Sequence, residues 1–143
     1  MEEKLTNILL VEDDEVDIMN IKRAFSKNKI ANPLYVARNG LEALDMLRGI
    51  NGQAPTIPDT RRLILLDLNM PKMNGIEFLT ELRQTPELAF TPVVVLTTSG
   101  EDKDRVEAYR FNVAGYILKP VTFGSFVEVM VALNKYWALC EMP

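Results

Sequence analysis

The chain has 143 residues, nearly half of them apolar and a quarter charged, enough for one domain with a real hydrophobic core. Its net charge is −4 with no basic run, which disfavours nucleic-acid binding through phosphate neutralisation. The lone Cys140 cannot form an intramolecular disulfide, and no signal peptide or apolar span of membrane-crossing length is visible, so a cytoplasmic protein with no membrane partner is expected.

In chain order, short apolar runs alternate with amphipathic segments. The run Ile8–Val11 ends in Glu12, Asp13 and Asp14, and a helix is predicted over 15–28 with Ile18, Ile21 and Phe25 on one face. A second strand, Leu34–Ala37, delivers only Arg38 and Asn39, and the helix predicted over 40–48 carries Leu41, Leu44 and Leu47. The Pro/Gly-containing stretch "GINGQAPTIPDT", residues 49–60, reads as a solvent-exposed connection. The strand Leu63–Leu66 runs straight into Asp67, and a turn-rich segment leads through Pro71 to Asn74, Gly75 and a helix over 75–84 with Phe78, Leu79 and Leu82 inward. The strand Val93–Leu96 is followed by Thr97 and by a weaker, polar helix over 101–110. A last strand, Tyr116–Leu118, gives way to Lys119, Pro120 and a long helix over 122–139.

Near-continuous aliphatic strands are the mark of a parallel sheet covered on both faces, and five βα units in series imply a doubly wound α/β sheet with right-handed crossovers. Sites in such sheets form outside the carboxyl ends of the strands. Glu12, Asp13, Asp67, Thr97 and Lys119 all fall there. Taken singly they are a helix-start acid, a turn residue, a strand former or a solvated charge; their convergence on one edge is harder to assign to chance. Clustered carboxylates raise one another's pKa unless a cation lies among them. All-oxygen ligands suit Mg²⁺, and the acidic run lacks the glycine and twelfth-position glutamate of an EF-hand Ca²⁺ loop. With Lys119 and Thr97 added, the edge is suited to a phosphoryl group, and Asp67 becomes a carboxylate nucleophile that forms an acyl phosphate.

The motifs "LLVEDD", "LLDLNMPKMNG", "VVVLTTS" and "GYILKP" resemble those of response-regulator receiver domains of two-component signalling. The resemblance covers about residues 5–140, and the 30 residues from Asp67 to Thr97 and 22 from Thr97 to Lys119 match the family's spacings. It implies a five-stranded flavodoxin-like sheet in the order 2-1-3-4-5. It also implies the role of each matching residue. Asp67 is the phosphoacceptor, Asp13 a direct Mg²⁺ ligand, Glu12 the holder of a metal-bound water, and Asn69 a ligand through its backbone carbonyl. Thr97 and Lys119 contact the phosphoryl group, Tyr116 is an aromatic switch, and Lys119–Pro120 matches a peptide that is usually cis in this family.

Three departures from the commonest pattern stand out: Glu12 in place of Asp, Thr98 where Ala or Gly is frequent, and the long 49–60 connection. The connection, "VED" and the extended C-terminus resemble a subgroup of stand-alone receivers partnered with cyanobacterial and bacterial phytochromes, related to chemotaxis regulators. The expected protein is therefore a single domain over 1–143, without an output domain. It is a phosphoacceptor rather than an enzyme, and it takes its phosphoryl group from a histidine on a sensor kinase. The chain itself contains no histidine. Thr97 and Tyr116 would then shift, changing the surface of the fourth helix, fifth strand and fifth helix to signal by protein contact or onward phosphotransfer. An aspartate phosphatase of the haloacid-dehalogenase kind would want Asp where Asn69 stands, and a phosphorylation-independent interaction module would not need every site residue. In the last helix Phe126, Met130, Leu133 and Trp137 can occupy one face. Val127, Val129, Val131, Tyr136 and Cys140 spread around the rest, which points to an apolar contact surface and a possible homodimer in which Tyr136 and Trp137 take part.

Overall fold

The computed structural model describes residues 5–143; the first four residues of the expected domain lie outside it. Five parallel strands are ordered β2-β1-β3-β4-β5, where β1 is Asn7–Val11, β2 Leu34–Ala37, β3 Arg62–Leu66, β4 Val93–Thr97 and β5 Gly115–Leu118. The intervening helices are α1 (Glu15–Lys27), α2 (Gly40–Arg48), α3 (Gly75–Gln84), α4 (Asp102–Arg110) and α5 (Phe123–Leu139). This is the doubly wound, flavodoxin-like order expected from the strand and helix pattern. Among the described residues no helix is long and apolar enough to cross a membrane.

Strand alternation divides the core in two. Leu9, Val11, Ile64, Leu66, Val93 and Val95 pack against α2, α3 and Ala108 of α4. Their neighbours Ile8, Leu10, Leu63, Leu65, Val94 and Leu96 pack against α1 and α5. The central strands β1, β3 and β4 are buried throughout, whereas the edge strands β2 and β5 are mostly half-buried. Local chemistry starts most helices: Asp14, Asn39 and Thr122 cap α1, α2 and α5, and Asn74 forms a reciprocal capping box with Glu77 on α3. Helix α4 has no side-chain cap and one buried residue, Ala108, in keeping with its weak sequence signal.

Three expectations need correction. Leu41 is 49% exposed, and Ala43 takes the inward position beside Leu44 and Leu47, because the inward stripe is centred on 43, 44 and 47 and leaves Leu41 at its margin. The 49–60 connection is largely exposed, yet it is anchored: Ile57 is fully buried in the core. The Arg62 guanidinium reaches under it to donate to the carbonyls of Pro58, Ile57 and Leu47 at 2.7–2.8 Å. Trp137 is core rather than surface. It lies four residues after Leu133 and so continues the inward stripe, 1% exposed, near Phe25 and donating its indole N–H to Asn32 Oδ1 at 3.2 Å. Tyr136, one residue earlier and about 100° around the helix, stays exposed with Leu139.

Arg62 has neutral acceptors, and burial lowers its pKa from the ordinary guanidinium value. Replacing it with methionine keeps apolar bulk but leaves the carbonyls of Leu47 and Ile57 without these donors. Arg62→Met is expected to destabilise the fold by about 2–3 kcal/mol, with hydrogen exchange accelerating first in residues 49–60. Unchanged denaturant midpoint and exchange would refute the anchoring role.

Candidate functional site at the carboxyl edge of the sheet

The edge is built from chain ends whose backbone is fixed by the sheet. Val11 ends β1 and delivers Glu12, whose N–H donates to Ala37 O; Leu66 ends β3 and delivers Asp67, whose N–H donates to Val11 O. Glu12 and Asp67 are 1% and 4% exposed, so the site is a buried floor rather than an open rim. Asp13 is exposed beside them. Carboxylate oxygens of Glu12, Asp13 and Asp67, one from each, lie within 4.8 Å of one another. Asn69 follows two residues after Asp67, exposed at the start of the loop.

That loop is held close to the sheet by Gly75. Its N–H donates to Leu68 O, and a Cβ there would sit 2.6 Å from Leu68 Cα and 2.7 Å from Asp67 O. The Asn74–Gly75 pair thus starts α3 and brings it against the backbone that carries Asp67.

Lys119 enters from the other side. Its backbone N–H donates to Thr97 O at 2.8 Å, and its ammonium lies 2.6 Å from Glu12 Oε2, 2.8 Å from Asp17 Oδ2 and 3.5 Å from Asp67 Oδ2. The described residues contain no cis peptide bond, so Lys119–Pro120 is trans and not the cis turn expected from the resemblance. The backbone bond to Thr97 and the carboxylates around the ammonium aim the side chain instead. Burial alone would lower the pKa of Lys119, but its hydrogen bonds to Asp17 and Glu12 more than offset that and hold it firmly charged. Burial also pushes Glu12 up to about 7, with Asp67 adding to the rise and the Lys119 hydrogen bond resisting it.

Asp67 Oδ1 is buried and has no hydrogen-bond partner among the described residues. An orphaned carboxylate oxygen, among carboxylates within bridging distance, is the donor set a hard divalent cation takes. The residues present therefore fit a metal ion. Glu12, Asp13 and Asp67 would hold it, and bound there it would offset the charge of the carboxylates.

The remaining site residues meet at Ser99. Thr97 is fully buried, and its Oγ1 accepts from the Ser99 N–H at 3.3 Å. Tyr116, half-buried with its pKa raised by that burial, donates its hydroxyl to Ser99 O at 2.8 Å. The Ser99 hydroxyl donates to Asp104 on α4. Thr98 is exposed between them. The structure thus brings Glu12, Asp13, Asp67, Thr97 and Lys119 to one edge as expected, with Tyr116 one residue away through Ser99. Two participants were missed. Asp17 had no role assigned to it, although it lies in the first turn of the helix that follows the acidic run. Ser99 sat in a motif without an assigned role.

Comparison with known proteins gives the family and the fold. Residues 8–130 match the response regulator receiver domain family. The chain is 38% identical over 130 residues to FilR2, a probable methanogenesis regulatory protein of Methanothrix harundinacea, covering 91% of this chain and 82% of that one. It is 35% identical over 130 residues to the response regulator Rcp1 of Synechocystis, covering 91% and 87%. An Rcp1 structure with Mn²⁺ bound superposes with a TM-score of 0.81 at 33% identity, over 96% of this chain and 99% of that one. The phosphorylated cyanobacterial phytochrome response regulator RcpA superposes at 0.83 with 32% identity, over 98% and 99%. With its sheet order, its acidic edge and its whole sequence in agreement, the chain belongs to the response regulator receiver family of two-component signalling.

Proposed function

We propose that Asp67 accepts a phosphoryl group from a histidine of a sensor kinase, and that the charge change is passed to the surface formed by α4, β5 and α5. One observation carries the reading: the Asp67 carboxylate is buried, with one oxygen orphaned and the other facing Lys119 at 3.5 Å. In the transfer, the phosphorus–nitrogen bond of phosphohistidine breaks as a phosphorus–oxygen bond forms to Asp67, and the imidazole nitrogen leaves with the electron pair. Lys119 offsets charge on the phosphoryl oxygens, and the Thr97 hydroxyl has its own proton to donate to one of them. Mg²⁺ is the proposed cation, held by Asp13 and Asp67 directly, by Glu12 through water and by the Asn69 carbonyl; when bound it supplies Lewis-acid charge to the same oxygens. The protein acts as a cytoplasmic phosphoacceptor rather than an enzyme. Because RcpA is a phytochrome response regulator, a phytochrome-type kinase is the proposed input. Output goes to a protein target or to onward phosphotransfer.

The output surface is proposed to meet a second copy of the chain. Val106, Tyr109, Leu118 and Val121 are 47–98% exposed and lie on α4, at the end of β5 and just before α5. This is more apolar side chain than scattered surface residues require. Tyr136 and Leu139 continue it; Trp137 does not, being core.

Treated with acetyl phosphate and Mg²⁺, the protein is expected to gain one labile phosphoryl group by intact mass, and Asp67→Asn to gain none. The variant is expected to stay folded, because it removes a charge from a buried carboxylate cluster. Full labelling of Asp67→Asn would exclude Asp67 as the acceptor. Asp13→Ala is expected to weaken Mg²⁺ binding at least about tenfold, a loss typical even of outer partners of a metal site. The same change is expected to raise the metal-free melting temperature by relieving carboxylate repulsion; a lower one would refute that repulsion. Sedimentation is expected to show a dimer that Leu118→Asp together with Val121→Asp converts to a monomer still phosphorylated at Asp67. A monomer with and without an acyl-phosphate mimic would eliminate the dimer.

A further inference from the structure

We infer that Asp17 is a positioning residue for Lys119: it holds the ammonium beside Asp67 before any phosphoryl group arrives. This rests on Asp67 being the phosphoacceptor. Lysine is a flexible stem with three N–H donors and no preferred direction of its own. Here two of those donors are engaged by carboxylates from different elements, Glu12 at the end of β1 at 2.6 Å and Asp17 in the first turn of α1 at 2.8 Å. The next oxygen is Asp67 Oδ2 at 3.5 Å, too far for a hydrogen bond, which leaves the third donor for a group that arrives on Asp67.

Asp17 is itself fixed. Its N–H donates to the capping oxygen of Asp14 at 3.1 Å, and the following Ile18 is buried in the core, which sets the rotation of the helix. The Asp17 carboxylate is 19% exposed while the lysine side chain is 6% exposed, so the pair closes the lysine off from solvent on the α1 side. Glu12 alone would leave the ammonium free to pivot about one contact. Two anchors on separate elements define a position.

The test is a double-mutant cycle on the rate of Asp67 phosphorylation by acetyl phosphate at saturating Mg²⁺. Asp17→Ala is expected to slow the reaction about tenfold in the Lys119 background, within the coupling range of adjacent charged residues. In the Lys119→Ala background it is expected to change the rate less than about twofold, because Asp17 acts through the lysine. Equal slowing in both backgrounds would place its effect in the fold or the metal, and faster reaction in Asp17→Ala would make it a restraint; either result overturns the proposal. A second measurement is independent of phosphorylation. Acetic anhydride labelling of Lys119, normalised to the exposed Lys103 and read by peptide mass, is expected to quicken several-fold in Asp17→Ala and in the isosteric Asp17→Asn. Unchanged labelling in both variants overturns the proposal whether or not Asp67 accepts phosphate. Quickened labelling in a protein that takes up no phosphoryl group would uphold the anchor and reject only the phosphoacceptor reading.

Discussion

Lys119 brings one positive charge among Glu12, Asp17 and Asp67, and its ammonium links the ends of β1, β3 and β5 to the first turn of α1 at this edge. Two of the three carboxylates are almost fully buried, where unpaired charge is costly and like charges raise one another's pKa. One ammonium cannot neutralise them all, and Asp13 adds a fourth carboxylate at the surface. Asp67 Oδ1 is the buried oxygen of this cluster that has no hydrogen-bond partner among the described residues. A cluster left short of positive charge has affinity for a cation, and burial, with Asp67 adding to it, pushes Glu12 up to about 7 against the Lys119 hydrogen bond.

From there the connection to the surface is short and polar. Ser99 uses its N–H for Thr97, its carbonyl for Tyr116 and its hydroxyl for Asp104, so a strand end, an edge strand and the start of α4 share one residue. If the Thr97 hydroxyl is drawn toward Asp67, the Ser99 backbone loses an acceptor, and the bond that holds Tyr116 changes with it. Two arrangements of one hydrogen-bonded joint are the physical element that a population shift requires.

Much of this was legible in the sequence because it depends on period and position. Apolar runs of three or four residues marked the strands to within one residue at each end. The residues just past each run fell at the carboxyl edge because parallel strands all end on the same side. The features that escaped notice depend on helix phase or on partners distant in sequence. Leu41 differs from expectation by the rotation of a helix, which one residue changes by about 100°, whereas Trp137 lies on the face its spacing gave it and only its expected place in a contact surface is wrong. The role of Arg62 as an anchor could not be read from a basic residue at the start of a strand, since its acceptors are backbone carbonyls that carry no sequence signal. The polar residues and Pro/Gly content of 49–60 hid the one inward residue, Ile57. Asp17 was visible as an acid but not as a partner, because its lysine lies at the far end of the chain.

Gly75 has a consequence for how strain would be distributed between the two flanks of Asp67. On the α3 side the backbone contact is too close to admit even a methyl group, which packs that helix tightly against the aspartate loop. On the α4 side the attachment is lighter: one buried residue, no side-chain cap at its start, the Ser99 hydrogen bond to Asp104 and, at its end, Arg83 donating to Phe111 O. Segments with few buried contacts open at the least free-energy cost. A disturbance at the sheet edge would therefore be absorbed by α4, as the flank with the softest restoring force, and the direction of the response is decided by packing before any charge arrives.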